Sequence, residues 1–182
     1  LKESIQAYQK AIHIQPDHAN AYNNLGNALQ EQGRLKESIQ ACHQAIHIQP
    51  DHANAYSNLG VALQKQDRLE ESIQAYQQAI RIQPDHADAY GGLGVALQKQ
   101  GRLEESIDAY QQAIHIQPDH AGAYSNLGNV LQKRGKLEES IEAYQQAIHI
   151  QPDHADAYSN LGNVLQEQGR LGESIDAYQQ AI

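Results

Sequence analysis

Residues 121–154 read AGAYSNLGNVLQKRGKLEESIEAYQQAIHIQPDH, and nearly the whole chain is this unit written again. Pro16, Pro50, Pro84, Pro118 and Pro152 recur at a constant interval of 34 residues. A period of about 20–50 residues marks stacked-repeat architectures. Inside the unit, Ala123, Tyr124, Leu127, Val130 and Leu131 fall at spacings of three and four, and Leu137, Ile141, Tyr144, Ala147 and Ile148 do so again. Two stripes of helical period separated by Gly135 predict two amphipathic helices joined by a short turn. Asp119 is expected to cap the first helix through its carboxylate. Gly135 is expected to close that helix in the left-handed conformation. Glu138 and Glu139 favour the start of the second helix, where negative charge meets the positive dipole end. Pro152 stops it, because proline lacks an N–H and disfavours helix in the residue before it.

Counted from Ala121 as position 1, the unit has an aromatic at 4, Leu-Gly at 7 and 8, a small residue at 20, an aromatic at 24, Ala at 27 and Pro at 32. Those residues are Tyr124, Leu127, Gly128, Ser140, Tyr144, Ala147 and Pro152. The set recurs as Tyr56, Leu59, Gly60, Ser72, Tyr76, Ala79 and Pro84, and as Tyr90, Leu93, Gly94, Ser106, Tyr110, Ala113 and Pro118. This pattern resembles the tetratricopeptide repeat. The departures are Tyr where Trp is common at position 4, Leu where Tyr is common at 11, and Cys42 at 24. The resemblance implies an all-α, right-handed superhelical solenoid of antiparallel helix pairs over residues 1–182. Its expected divisions are a partial repeat at 1–18, full repeats at 19–52, 53–86, 87–120 and 121–154, and a partial repeat at 155–182. Both ends cut a repeat without a polar cap, which reads as a fragment of a longer protein. Such raw ends are expected to associate end to end with other copies.

Composition narrows the function. Thirteen basic residues stand against 22 acidic ones, a net charge of −9, which argues against a nucleic-acid or anionic-membrane surface. No apolar run approaches the length of a bilayer span. One cysteine excludes an internal disulfide framework and suits a reducing, cytoplasmic compartment. No nucleophile motif, phosphate loop or paired-acid constellation appears, so no catalytic residue and no cofactor is expected. The pairs His13/His18, His47/His52, His115/His120 and His149/His154 are each split by a proline. They are therefore not expected to bind metal: the first His meets a helix C-terminus, and the second is a solvated loop residue. Cys42 reads as a small buried hydrophobe. Asp67 stands in for a turn glycine, which Asp tolerates better than most residues. Gly91 and Gly92 should soften the helix they fall in. Arg34, Arg68, Arg102, Lys136 and Arg170 read as a solvated charge band.

Function is expected on the concave face. The family resemblance implies that first helices line the inner groove with positions 2, 5, 6, 9, 12 and 13. Position 6 carries Asn24, Asn58, Asn126 and Asn160, broken by Gly92. Position 9 carries Asn27, Asn129 and Asn163, with Val61 and Val95 between. Position 12 is always glutamine, including Gln64, Gln98 and Gln132, and position 13 brings Lys65, Lys99 and Lys133 toward the middle. Position 5 carries Asn23, Ser57, Gly91, Ser125 and Ser159. An asparagine amide holds both a donor and an acceptor, so it can pair with a peptide backbone without reading side chains. Helices about 8–10 Å apart would meet an extended strand about every third residue. The arrangement is similar to the asparagine ladder in the superhelix of O-linked N-acetylglucosamine transferase. The carboxylate clamp of chaperone adaptors is not matched, because positions 2 and 5 lack its basic residues. The expected function is a non-catalytic scaffold binding an extended peptide or partner protein. The alternatives are a substrate-recruiting arm of a larger enzyme such as a glycosyltransferase, and a self-assembling structural fragment.

Overall fold

The computed structural model describes residues 1–181; Ile182, the end of the expected last repeat, lies outside the described residues. Among the described residues there are eleven helices and no strand. They are α1 (Lys2–Ile14), α2 (Ala19–Glu31), α3 (Leu35–Ile48), α4 (Ala53–Lys65), α5 (Leu69–Ile82), α6 (Ala87–Lys99), α7 (Leu103–Ile116), α8 (Ala121–Lys133), α9 (Leu137–Ile150), α10 (Ala155–Glu167) and α11 (Leu171–Gln180). The chain forms two compact units, Leu1–Ala96 and Leu97–Ile182.

The helix stops follow from the turn chemistry. After α2, the Gly33 N–H donates to the Gln30 carbonyl at 3.0 Å and the Arg34 N–H to the Leu29 carbonyl at 2.9 Å. That pair of bonds closes a helix through a left-handed residue. Gly33, Gly101, Gly135 and Gly169 take φ of 75°, 78°, 73° and 78°, and Asp67 takes 61° in the same place. The second helices end differently. Gln49, Gln83, Gln117 and Gln151 turn extended just before each proline.

The helix starts correct one expectation. The capping residue is the histidine, not the aspartate before it. His18 and His120 accept the third helical N–H, from Ala21 and Ala123, at 3.4 and 3.3 Å through Nδ1. His86 accepts from Ala89 at 3.4 Å. Asp119 contributes only its backbone carbonyl, to the Ala121 N–H. These loop histidines are thus structural acceptors rather than solvated bystanders. The turn cations are the solvated charge band expected, and each is paired. Arg34, Arg68, Arg102 and Arg170 each grip the glutamate three residues on, Glu37, Glu71, Glu105 and Glu173, through two nitrogens. Lys136 pairs with Glu139. Each arginine lowers the proton affinity of its glutamate, chiefly through the hydrogen bond it donates. All are solvent-exposed, so each adds little stability.

The core lies between hairpins as well as within them. In the first unit Ile39 and Cys42 of α3 pack on Leu59, Ala62 and Leu63 of α4 and on Ala75 of α5. In the second unit Ile141 and Tyr144 of α9 pack on Leu161, Val164 and Leu165 of α10 and on Ala177 of α11. A single hairpin would leave such side chains in water, at a cost of about 1.5–3 kcal/mol for each large one. Position 8 is glycine because the position-24 tyrosine ring lies flat against it. A Cβ at Gly60 or Gly128 would fall 2.8 Å from Tyr76 or Tyr144. The glycine carbonyl takes an added bond: Ser72 Oγ donates to Gly60 O at 2.7 Å, and Ser140 and Ser174 donate to Gly128 and Gly162 at 2.8 Å.

Within each unit the first helices of successive hairpins touch, α2 with α4 and α8 with α10. Among the described residues the backbones of α3 and α5, and of α9 and α11, make no equally close approach, although the side chains of Ala75 and Ala177 reach across. Each stack therefore closes on its first-helix side and opens on its second-helix side, which makes the first-helix side the inner face.

Candidate functional site

The inner face is built from one side of each first helix, opposite the apolar stripe. Asn24, Asn27 and Asn163 are exposed there, while Asn58, Asn126, Asn129 and Asn160 are half-buried. Lys65, Lys99 and Lys133 are exposed; Gln64, Gln98 and Gln132 are half-buried. Position 5 departs from the groove expectation. Asn23, Ser57 and Ser125 are buried beside the neighbouring first helix, and of the three only Ser125 borders an open hollow, the one between α8 and α10.

Several amides bond to one another across hairpins. Asn58 Nδ2 donates to Asn23 Oδ1 at 2.8 Å in the first unit, and Asn160 Nδ2 to Asn129 Oδ1 at 3.3 Å in the second. Asn24 accepts from Asn23 at 3.4 Å. These bonds fix the amides' orientation and leave part of each free. Asn129 Oδ1 also accepts from Tyr144 Oη at 2.8 Å. Its carbonyl is then fully used, and its two N–H groups remain available.

The position-24 tyrosines tie the inner face to the core. Tyr144 and Tyr178 donate to Asn129 and Asn163, both at 2.8 Å. Where position 9 is Val61 or Val95, the hydroxyl turns to the position-12 glutamine instead. Tyr76 donates to Gln64 at 3.2 Å and Tyr110 to Gln98 at 3.4 Å. Gln64 and Gln98 therefore offer a ligand their N–H groups rather than a free carbonyl. Burial pushes the Tyr144 phenol up to about 12 and raises those of Tyr76 and Tyr110 as well. Cys42 breaks the series. No phenol reaches Gln30, which is only 9% exposed and whose Oε1 is buried without a partner. Burial pushes the Cys42 thiol up to about 12, which makes it inert rather than nucleophilic.

The expected site residues come together most closely in the second unit. There α8 contributes Gly122, Ser125, Asn126 and Asn129 to a hollow of about 380 Å³. Asp156, Ser159 and Asn160 of α10, with His154 at its start, complete the wall. Asn24 and Asn27 belong to the other unit, and Asn163 does not line the hollow. The sequence reading singled out Asn126, Asn129 and Asn160 and put position 2 in the groove without naming Gly122 or Asp156, and it left His154 out. The available signal was the invariant spacing of the histidine immediately before every first helix. Among the described residues no group of three metal-ligating side chains occurs, and no helix is long and apolar enough to cross a membrane.

Comparison with known proteins agrees with this architecture. Residues 1–182 match the family described as the cilia and flagella-associated protein 70 C-terminal domain. A search of curated protein sequences returns no match. Among solved structures, that of MamA is similar with a TM-score of 0.78 at 25% identity, covering 86% of this chain and 92% of that one. YrrB, described as a TPR protein with an unusual peptide-binding site, gives a TM-score of 0.75 at 22% identity over 98% of this chain and 92% of its own. PilF of Pseudomonas aeruginosa gives 0.84 at 19% identity over 90% of this chain and 74% of its own. With a 34-residue helical hairpin repeated in register and a family match along its whole length, the chain belongs to the tetratricopeptide-repeat family of the cilia and flagella-associated protein 70 C-terminal domain.

Proposed function

We propose that the inner face of this chain is a docking surface for an extended peptide or an extended segment of a partner protein, and that the chain performs no chemistry itself. The observation that carries this reading is the set of half-buried asparagines facing the hollow between α8 and α10. Asn129 is oriented by Tyr144 and Asn160 so that its N–H groups are free. An oriented donor beside the free carbonyl of Asn160 suits a peptide backbone, which carries one donor and one acceptor per residue. The peptide-binding site ascribed to YrrB supports the reading by analogy of fold. The likeness to the asparagine ladder of O-linked N-acetylglucosamine transferase belongs to it too. It leaves room for the chain to serve as the recruiting arm of a larger enzyme, and the single cysteine suits a reducing, cytoplasmic compartment.

The test uses a random library of capped nonapeptides selected on the immobilised chain. For the tightest selected peptide, Asn126→Ala combined with Asn160→Ala should weaken binding about tenfold or more, the equivalent of one or two lost hydrogen bonds in a desolvated site. Unchanged affinity in the folded double variant would overturn the proposal.

A further inference from the structure

The same place between neighbouring first helices is built in two ways. Between α2 and α4 it is closed. Asn20, at position 2, accepts from His52 Nε2 at 2.9 Å, and Asn23 accepts from Asn58 at 2.8 Å. The polar side chains there satisfy one another and fill the gap. Between α8 and α10 position 2 is Gly122 and position 5 is Ser125. The asparagine that would engage the histidine is missing, and the His154 imidazole has no hydrogen-bond partner among the described residues. The hollow of about 380 Å³ opens at this point. Its volume falls within the range of small-ligand sites, about 300–1,000 Å³. Gly122 is not required by packing: a Cβ there would meet only the His120 ring, at 3.4 Å.

The electrostatics of the hollow have one sign. Asp156 is the only carboxylate among the residues that line it, and no lysine or arginine does so. Asp156 has no ion-pair partner among the described residues. The lysine of this stretch, Lys133, sits at the opposite end of α8, eleven residues on, about 16 Å along the axis. We propose that the Gly122 hollow seats one lysine or arginine side chain of a bound extended peptide, with the Asp156 carboxylate as its counter-ion and the carbonyl oxygens of Asn126 and Asn160 as neutral acceptors. Charge-assisted bonds of this kind are about twice as strong as neutral ones. The chain's net charge of −9 favours the approach of such a peptide. The inference rests on the inner-face reading above and adds to it which side chain is read, and where.

The experiment is an array of capped nonapeptides in which one central residue is varied through all twenty types on otherwise constant alanine-serine frames. Binding is read by fluorescence polarisation at low and high salt. Lysine and arginine at the centre should bind about tenfold tighter than norleucine, and added salt should shrink that margin. Gly122→Asn, which copies Asn20, and Asp156→Asn should each abolish the basic preference, read as each variant's ratio of lysine to norleucine affinity. Should Gly122→Asn fail to fold, the exposed Asp156→Asn variant decides alone. Binding without any basic preference, or a preference that survives both substitutions, overturns this inference and leaves the inner-face reading standing. Failure of every peptide in the array to bind overturns both.

Discussion

Cys42 measures what the position-24 tyrosine contributes in the other hairpins. Its Sγ occupies the place of a phenol ring, and Gln30 is left with a buried carbonyl that lacks a donor. Restoring the ring should stabilise the first unit. The surroundings allow it: Gly26 is kept at position 8, and Asn58 stands where Asn160 stands beyond Tyr144. Cys42→Tyr should therefore raise the urea-unfolding free energy by about 0.5–2 kcal/mol, the usual yield of filling a gap. The tyrosines also make a pH prediction. In the fold Tyr144 loses its proton near 12, against 10.0 when free. Between those values the unfolded chain has shed the proton while the folded chain still holds it, so unfolding becomes favoured. The Tyr144 contribution should be constant below pH 10 and be lost as pH rises from 10 to 12, and Tyr144→Phe should make the fall in that window shallower. Denaturant midpoints measured across this window check the sign. Residue-scale detail was only partly legible beforehand. The inertness of Cys42 and the left-handed Asp67 followed from residue chemistry. The capping choice between Asp119 and His120 did not, because both can accept and only the backbone geometry of the turn selects the second.

At the scale of the helix, the glycines of α6 and α11 separate two causes. The Gly91–Gly92 pair was expected to soften α6, yet the helix runs unbroken from Ala87 to Lys99. Gly92 is there for packing: a Cβ would fall 2.4 Å from the Tyr76 ring. Gly92→Ala should therefore destabilise by about 1–3 kcal/mol through overpacking, despite alanine's better helix propensity. Gly172, in the first turn of α11, meets nothing within 4 Å. There Gly172→Ala should stabilise by about 0.5–1 kcal/mol, from propensity alone. Thermal melts of the two variants should move in opposite directions. Helix number and phase were readable in advance because two apolar stripes and a glycine punctuate every 34 residues. The burial of Asn23 and Ser57 was not, since position 5 is polar in the sequence and is covered only once a second hairpin stacks on the first.

At the scale of the molecule, stacking within each unit buries hairpin against hairpin and leaves α1 and α11 half-covered. Leu1 and Ile14 at the edge of α1, and Leu171 and Ile175 on α11, are 57%, 74%, 61% and 57% exposed. Contiguous apolar exposure of this kind promotes association. We expect sedimentation velocity to show larger species as concentration rises, and Leu171→Glu with Ile175→Glu to suppress them. The repeat architecture could be read at this scale because it is written several times over, whereas the hollow at Gly122 arises from one departure among the copies. The tyrosine hydroxyls finally bear on how such an array can diversify. Where position 9 is asparagine the ring has two acceptors one helical turn apart, that asparagine and the glutamine at position 12, and Tyr178 touches both, at 2.8 and 3.2 Å. Losing the asparagine does not orphan the ring, so ligand-facing chemistry can drift from amide to aliphatic at that site while the anchoring bond is kept by its understudy.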